Sequence, residues 1–136
     1  TLDKLNVPSI VLRHGVTLSD ELIEMMATGQ YRGIFVTPEF IFMNERFKIL
    51  WRKDSFQARL MAVFLDEAHC VLQWAQSFRP FYSRLAELRF LTSAPLMCAS
   101  ATLSPAEVKE LINKLRLKDD TVVINEGNNR PNVYLE

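Results

Sequence analysis

The chain has 136 residues, enough for one domain with a modest core, and 49% of them are apolar. Its 16 basic residues balance 16 acidic ones, which excludes a global field drawing it to nucleic acid or to a membrane; any such contact must be a local patch. No apolar run reaches the ~18–20 residues needed to span a bilayer, and no signal-peptide pattern opens the chain. The first residue is Thr1 rather than an initiator methionine, as expected of a processed or excised segment.

Strand and helix signals alternate along the chain. Ser9-Ile10-Val11-Leu12 is the first strand expected. Thr17 and Ser19 offer caps for a helix through Leu22, Met25 and Met26, stopped at Gly29. A second strand is expected at Gly33-Ile34-Phe35-Val36-Thr37, and Pro38 opens a helix through Phe40, Phe47, Ile49 and Leu50. Residues 60–66 form the third expected strand, and residues 79–91 a helix entered at Pro80. Pro95-Leu96-Met97-Cys98-Ala99 is the fourth strand, and Ser104-Pro105-Ala106-Glu107 starts a helix running to about Leu117. Thr121-Val122-Val123-Ile124 is expected as a fifth strand. The alternation predicts an α/β fold, a parallel sheet flanked by helices on both faces.

The third strand carries the strongest chemical signal. An apolar run delivers Asp66 and Glu67 side by side at its carboxyl end, where open parallel sheets bind ligands. There Asp66 can hold a magnesium ion, and Glu67 can orient or deprotonate a water attacking a phosphate. A strand ending in a solvated Asp-Glu turn has the same tetrapeptide, so the motif needs its neighbours. Within the ten residues 73–82, Trp74, Phe78, Phe81 and Tyr82 with Arg79 crowd together four aromatics and one guanidinium. Their flat faces suit stacking on unpaired bases, with Arg79 reaching a phosphate; equally, Phe78 and Tyr82 suit packing of the following helix. Ser100-Ala101-Thr102 leaves the fourth strand, so its hydroxyls should lie near Asp66 and His69 if the third and fourth strands are neighbours. Thr37-Pro38-Glu39 sits at another strand end and reads as a helix N-terminus with Pro in the first position. Cys70 and Cys98 stand outside any Cys-x-x-Cys pair, which argues against zinc and fits a reducing compartment. Both read as buried small hydrophobes.

Together these segments resemble the RecQ family of superfamily 2 DNA helicases, over most of the first RecA-like (P-loop NTPase-type) domain. Asp66-Glu67-Ala68-His69-Cys70 matches the DEAH box and its following Cys. Trp74 with Phe78-Arg79-Pro80 and Tyr82 matches the family's aromatic-rich loop, Ser100-Ala101-Thr102 the SAT motif, and Thr37-Pro38-Glu39 the TPE segment. The loop departs from the family at Ala75, Gln76 and Ser77, where Gly, His and Asp are usual.

The resemblance implies a part of an ATP-dependent 3′-5′ DNA helicase with ATP and magnesium as cofactors. Asp66 would bind magnesium, Glu67 would be the catalytic base, and His69 with Ser100 and Thr102 would link the nucleotide to DNA. Trp74, Phe78, Arg79 and Tyr82 would meet single-stranded or partly duplex DNA, with Thr37 near its backbone. It also implies a domain boundary near residue 127, with residues 128–136 as a linker to a second helicase domain, and nuclear or otherwise intracellular residence. None of the four glycines begins the G-x-x-x-x-G-K-[ST] loop that cradles phosphates. Negligible ATP hydrolysis is therefore expected of these residues alone. Without a phosphate-binding strand, the sheet is expected to need the remaining helicase segments or a self-associated copy. A degenerate helicase domain binding single-stranded DNA or protein, and an unrelated or nonfunctional α/β domain, are the alternative readings.

Overall fold

The computed structural model describes residues 6–73, 80–125 and 127. Four short strands are built from the apolar runs: β1 (Ser9–Leu12), β2 (Gly33–Val36), β3 (Val63–Leu65) and β4 (Leu96–Cys98). β1 pairs parallel with β2 in the register Ser9 to Gly33, and β3 pairs parallel with β4 in the register Val63 to Leu96. Each parallel pair is joined through helical crossover chain, which gives the α/β architecture expected from the alternation. Among the described residues the strands form two separate two-stranded sheets rather than one.

The helices follow local capping chemistry. In α1 (Asp20–Ala27), the Ser19 hydroxyl accepts the Leu22 N–H at 3.1 Å, and Asp20 and Glu21 complement the positive end of the helix. The single helix expected after Pro38 is two, α2 (Pro38–Met43) and α3 (Glu45–Trp51). Asn44 divides them: its backbone is extended (φ −87°, ψ 109°), and its side-chain oxygen accepts the Phe47 N–H at 3.0 Å. A short polar side chain that satisfies an N-terminal amide competes with helix continuation. A one-turn helix, α4 (Asp54–Gln57), follows, and α5 (Cys70–Gln73) leaves the carboxylate turn. The helix expected over 79–91 is a 3₁₀ helix at Pro80–Glu87 running into α6 (Leu88–Leu91). α7 (Pro105–Lys114) opens on a full capping box in which Ser104 and Glu107 bond each other's backbone amides. Those bonds hold the exposed Glu107 carboxyl below its usual range.

Two strand expectations are corrected. Residues 60–62 stay outside β3, because only Val63–Leu65 faces a partner strand. Residues 121–124 form no strand. Val122 and Ile124 are 82% and 81% exposed, and strand propensity without a partner ladder does not make a strand.

The core lies largely among the helices. Phe47 meets Phe40 edge-on at 5.8 Å and Trp51 at 5.6 Å, and Trp51 continues to Phe56 at 5.9 Å. The Trp51 indole N–H donates to the Leu91 carbonyl at 3.1 Å, tying α3 to the end of α6. Leu12, Leu50 and Leu115 are fully buried in the same cluster. Cys70 and Cys98 lie at intermediate burial rather than fully buried, and burial pushes the Cys98 thiol up. Among the described residues, no helix is long and apolar enough to cross a membrane.

Candidate functional site

The pairing of β3 with β4 brings two strand exits together. The Ala99 N–H donates to the Leu65 carbonyl at 2.9 Å, and the Ala68 N–H donates to the Ala99 carbonyl at 2.8 Å. These bonds extend the parallel ladder past β3 and pin the Asp66–Glu67 turn against the start of Ser100-Ala101-Thr102. The condition on which Ser100 was expected near His69, that β3 and β4 be neighbours, is met.

Within the turn, one Asp66 carboxylate oxygen accepts the Glu67 N–H at 2.9 Å. Glu67 has φ +49°, a left-handed conformation costly for a residue with a β-carbon. The turn redirects the chain, so the Glu67 side chain returns over His69. His69 Nδ1 is 3.1 Å from Glu67 Oε2 and 3.1 Å from Ser100 Oγ. Nε2 lies 3.7 Å from the Cys70 sulfur. Nδ1 faces two oxygen partners and Nε2 a sulfur. His69 thus joins the carboxylate turn of one strand to the hydroxyl exit of the next.

The left-handed turn yields a test. Glu67→Gly removes the β-carbon where φ is positive and is expected to raise stability by up to about 1 kcal/mol in urea unfolding. A loss of stability would mean that the Glu67–His69 contact outweighs the backbone strain.

The other predicted residues fall as follows. Thr102 is exposed, and its N–H reaches Ser100 Oγ at 3.5 Å. Thr37 caps α2, its hydroxyl accepting the Phe40 N–H at 3.4 Å with Pro38 in the first helical position. Tyr82 is half-buried in the 3₁₀ helix. Beside it, Phe81 stacks on Phe42 at 6.4 Å, and the Arg84 guanidinium lies 4.4 Å from the centre of the Phe42 ring. Trp74, Phe78 and Arg79 lie outside the described residues, as does the linker expected at 128–136. Sequence reasoning missed the contacts of His69 with Glu67 and Cys70, whose only signal was their closeness in the chain.

A magnesium ion shared with phosphates asks the protein for one or two carboxylates and otherwise keeps water. The exposed Asp66 carboxylate, one oxygen of which accepts an amide, fits that demand as a single ligand. Among the described residues no group of three or more His, Cys, Asp or Glu side chains forms a metal cage.

Parallel strands whose adjacent carboxyl ends present Asp-Glu and Ser-Ala-Thr define a part of a RecA-like α/β domain of the helicase type. The DEAD/DEAH box helicase family model matches residues 3–111, and the chain belongs to that family. Its curated relatives are RecQ-type helicases. It is 35% identical over 136 residues to the mouse (Mus musculus) bifunctional 3'-5' exonuclease/ATP-dependent helicase WRN, covering 99% of this chain and 9% of that protein. It is 40% identical over 86 residues to the RecQ-like DNA helicase BLM of Xenopus laevis, covering 62% of this chain and 6% of that protein. Against the ATP-dependent DNA helicase RecQ of Haemophilus influenzae the identity is 32% over 95 residues, covering 69% of this chain and 14% of that protein. The chain therefore spans only a small part of these relatives.

Proposed function

We propose that these residues form the carboxylate-bearing and DNA-sensing part of a RecQ-type ATP-dependent 3′-5′ DNA helicase, inactive as an ATPase without a phosphate-binding loop and a second helicase domain. The observation that carries this reading is His69 bridging Glu67 and Ser100 at 3.1 Å each. A strand exit that merely ended in a solvated turn would have no need of that bridge.

Magnesium, when bound with ATP, would neutralise phosphate charge. Asp66 would hold it, and Glu67 would orient the attacking water and accept its proton. His69 would position the Glu67 carboxylate and pass changes at Ser100 and Thr102 to it. Trp74, Phe78, Arg79 and Tyr82 would contact unpaired DNA, with the aromatic faces stacking on bases and Arg79 on a phosphate. Thr37, at the start of α2, would approach the DNA backbone. Such a protein would reside in the nucleus or elsewhere inside the cell.

The test is fluorescence anisotropy of labelled single-stranded DNA at two salt concentrations, with Trp74→Ala beside the parent chain. Loss of one stacked base is worth ~1–3 kcal/mol, so the substitution should weaken salt-sensitive binding about 5- to 150-fold. Binding by a folded parent chain that Trp74→Ala leaves unchanged would remove the aromatic loop from the DNA interface. That interface is also what a binding module without ATPase chemistry would use, and the Glu67 substitution discussed below separates the two.

A further inference from the structure

Residues 100–103 bridge two fixed points. On one side Ala99 is held through both backbone groups, its N–H on the Leu65 carbonyl at 2.9 Å and its carbonyl on the Ala68 N–H at 2.8 Å. On the other side α7 begins at Ser104. Its amide donates to the Glu107 carboxylate at 2.7 Å, while its hydroxyl accepts the Glu107 N–H at 3.3 Å. Within the bridge, the Thr102 N–H reaches the Ser100 hydroxyl at 3.5 Å, longer than an ordinary N–H···O bond. Leu103 packs against the hydrophobic core just before the cap. The course of the bridge is therefore set at its ends.

What the bridge carries is the Ser100 hydroxyl, 3.1 Å from His69 Nδ1, and the same nitrogen is 3.1 Å from Glu67 Oε2. A nitrogen shared between two oxygens feels the placement of each, because hydrogen bonds weaken steeply with misalignment. A site keeps its geometry only when supporting bonds lock the groups that form it. Glu107 is also near His69 across a second route, since α5, which starts next to His69, packs on α7. The bonds to Ser104, and after them the charge of His69, hold the Glu107 carboxyl below its usual range. The other acid of α7, Glu110, instead pairs with Lys114 at 3.1 Å.

We propose that Glu107 is a positioning residue of the carboxylate site. By holding the Ser104 amide it fixes the far end of the bridge, which keeps the Ser100 hydroxyl on His69 Nδ1 and His69 over Glu67. The proposal rests on the helicase reading only for the task that Glu67 then performs.

The experiment is NMR of the imidazole nitrogens in the 136-residue chain carrying isotopically labelled histidine. The chain has two histidines, and His14→Gln tells their signals apart. The pH is set near 8, above the ordinary imidazole value of ~6.5, so that neutral rings are compared. In the parent chain, the His69 signals should differ from those of the exposed His14. Glu107→Ala, checked for folding by circular dichroism, should shift the His69 signals toward those of His14. Glu107→Gln should leave them at the parental positions, because its amide oxygen can still accept the Ser104 N–H. Glu110→Ala, which weakens the same helix without touching its cap, should also leave them in place.

His69 signals that Glu107→Ala does not move overturn the proposal, as does an equal shift in Glu110→Ala. A parent His69 indistinguishable from His14 overturns it too. Should Glu107→Ala lose its fold, Glu107→Gln decides alone, and displaced His69 signals in that variant would mean that the charge of Glu107 acts and not its bond to Ser104. Neither ATP nor DNA enters this readout, so its failure and that of the helicase reading are distinguishable.

Discussion

In any polypeptide that joins these 136 residues to a phosphate-binding loop and a second helicase domain, Glu67→Gln is expected to lower DNA-stimulated ATP hydrolysis by about 10²–10⁴-fold. The amide keeps the size of the carboxylate and leaves the backbone conformation unchanged. It loses the charge that accepts a proton from the attacking water. It can also still reach His69 Nδ1, 3.1 Å from the present carboxylate, since an amide can either donate or accept. Binding to single-stranded DNA, measured by anisotropy, should therefore stay within about twofold, because the proposed contacts with DNA are made by other side chains. The split between lost hydrolysis and retained binding is the informative result. A Glu67→Gln protein that hydrolyses ATP at the parental rate would remove Glu67 from the chemistry and leave the left-handed turn as a structural feature. A parent protein that binds DNA and hydrolyses nothing, even with the loop and the second domain supplied, would favour the degenerate binding module.

Much of this arrangement was legible where local chemistry decides. Ser19, Thr37 and Ser104 cap the helices that their positions predict, with Pro38 and Pro105 in first helical positions. Ser100 near His69 was legible on the condition that β3 and β4 are neighbours, which the structure meets. What escaped depends on competition or on partners. The Asn44 side chain competes for the Phe47 amide, and one expected helix becomes two. Residues 121–124 have the composition of a strand, but a strand needs a ladder, and none is present among the described residues. The left-handed Glu67 was likewise invisible, because neither Asp nor Glu announces positive φ as Gly does. Periodicity predicted parallel strands correctly and was silent on whether they join into one sheet.

That division of the sheet shifts the stability onto the helices, and Phe47→Ala is expected to cost about 3–5 kcal/mol. A protein of this size has roughly 7–20 kcal/mol in all, so the loss is a large share of it. Phe47 is 1% exposed and sits between the Phe40 and Trp51 rings. Its removal opens a cavity at the point where α2 and α3 meet. Asn44 makes that point sensitive: it ends one short helix and begins the next, and neither helix, at six and seven residues, would hold in water without packing. Urea denaturation should show a lower midpoint with an unchanged slope, the signature of altered stability rather than an altered unfolded state. Ile49→Ala, on the same helix but 54% exposed, should stay within about 0.5 kcal/mol. Equal effects for the two substitutions would mean that α3 is held by its own propensity rather than by the buried aromatic cluster.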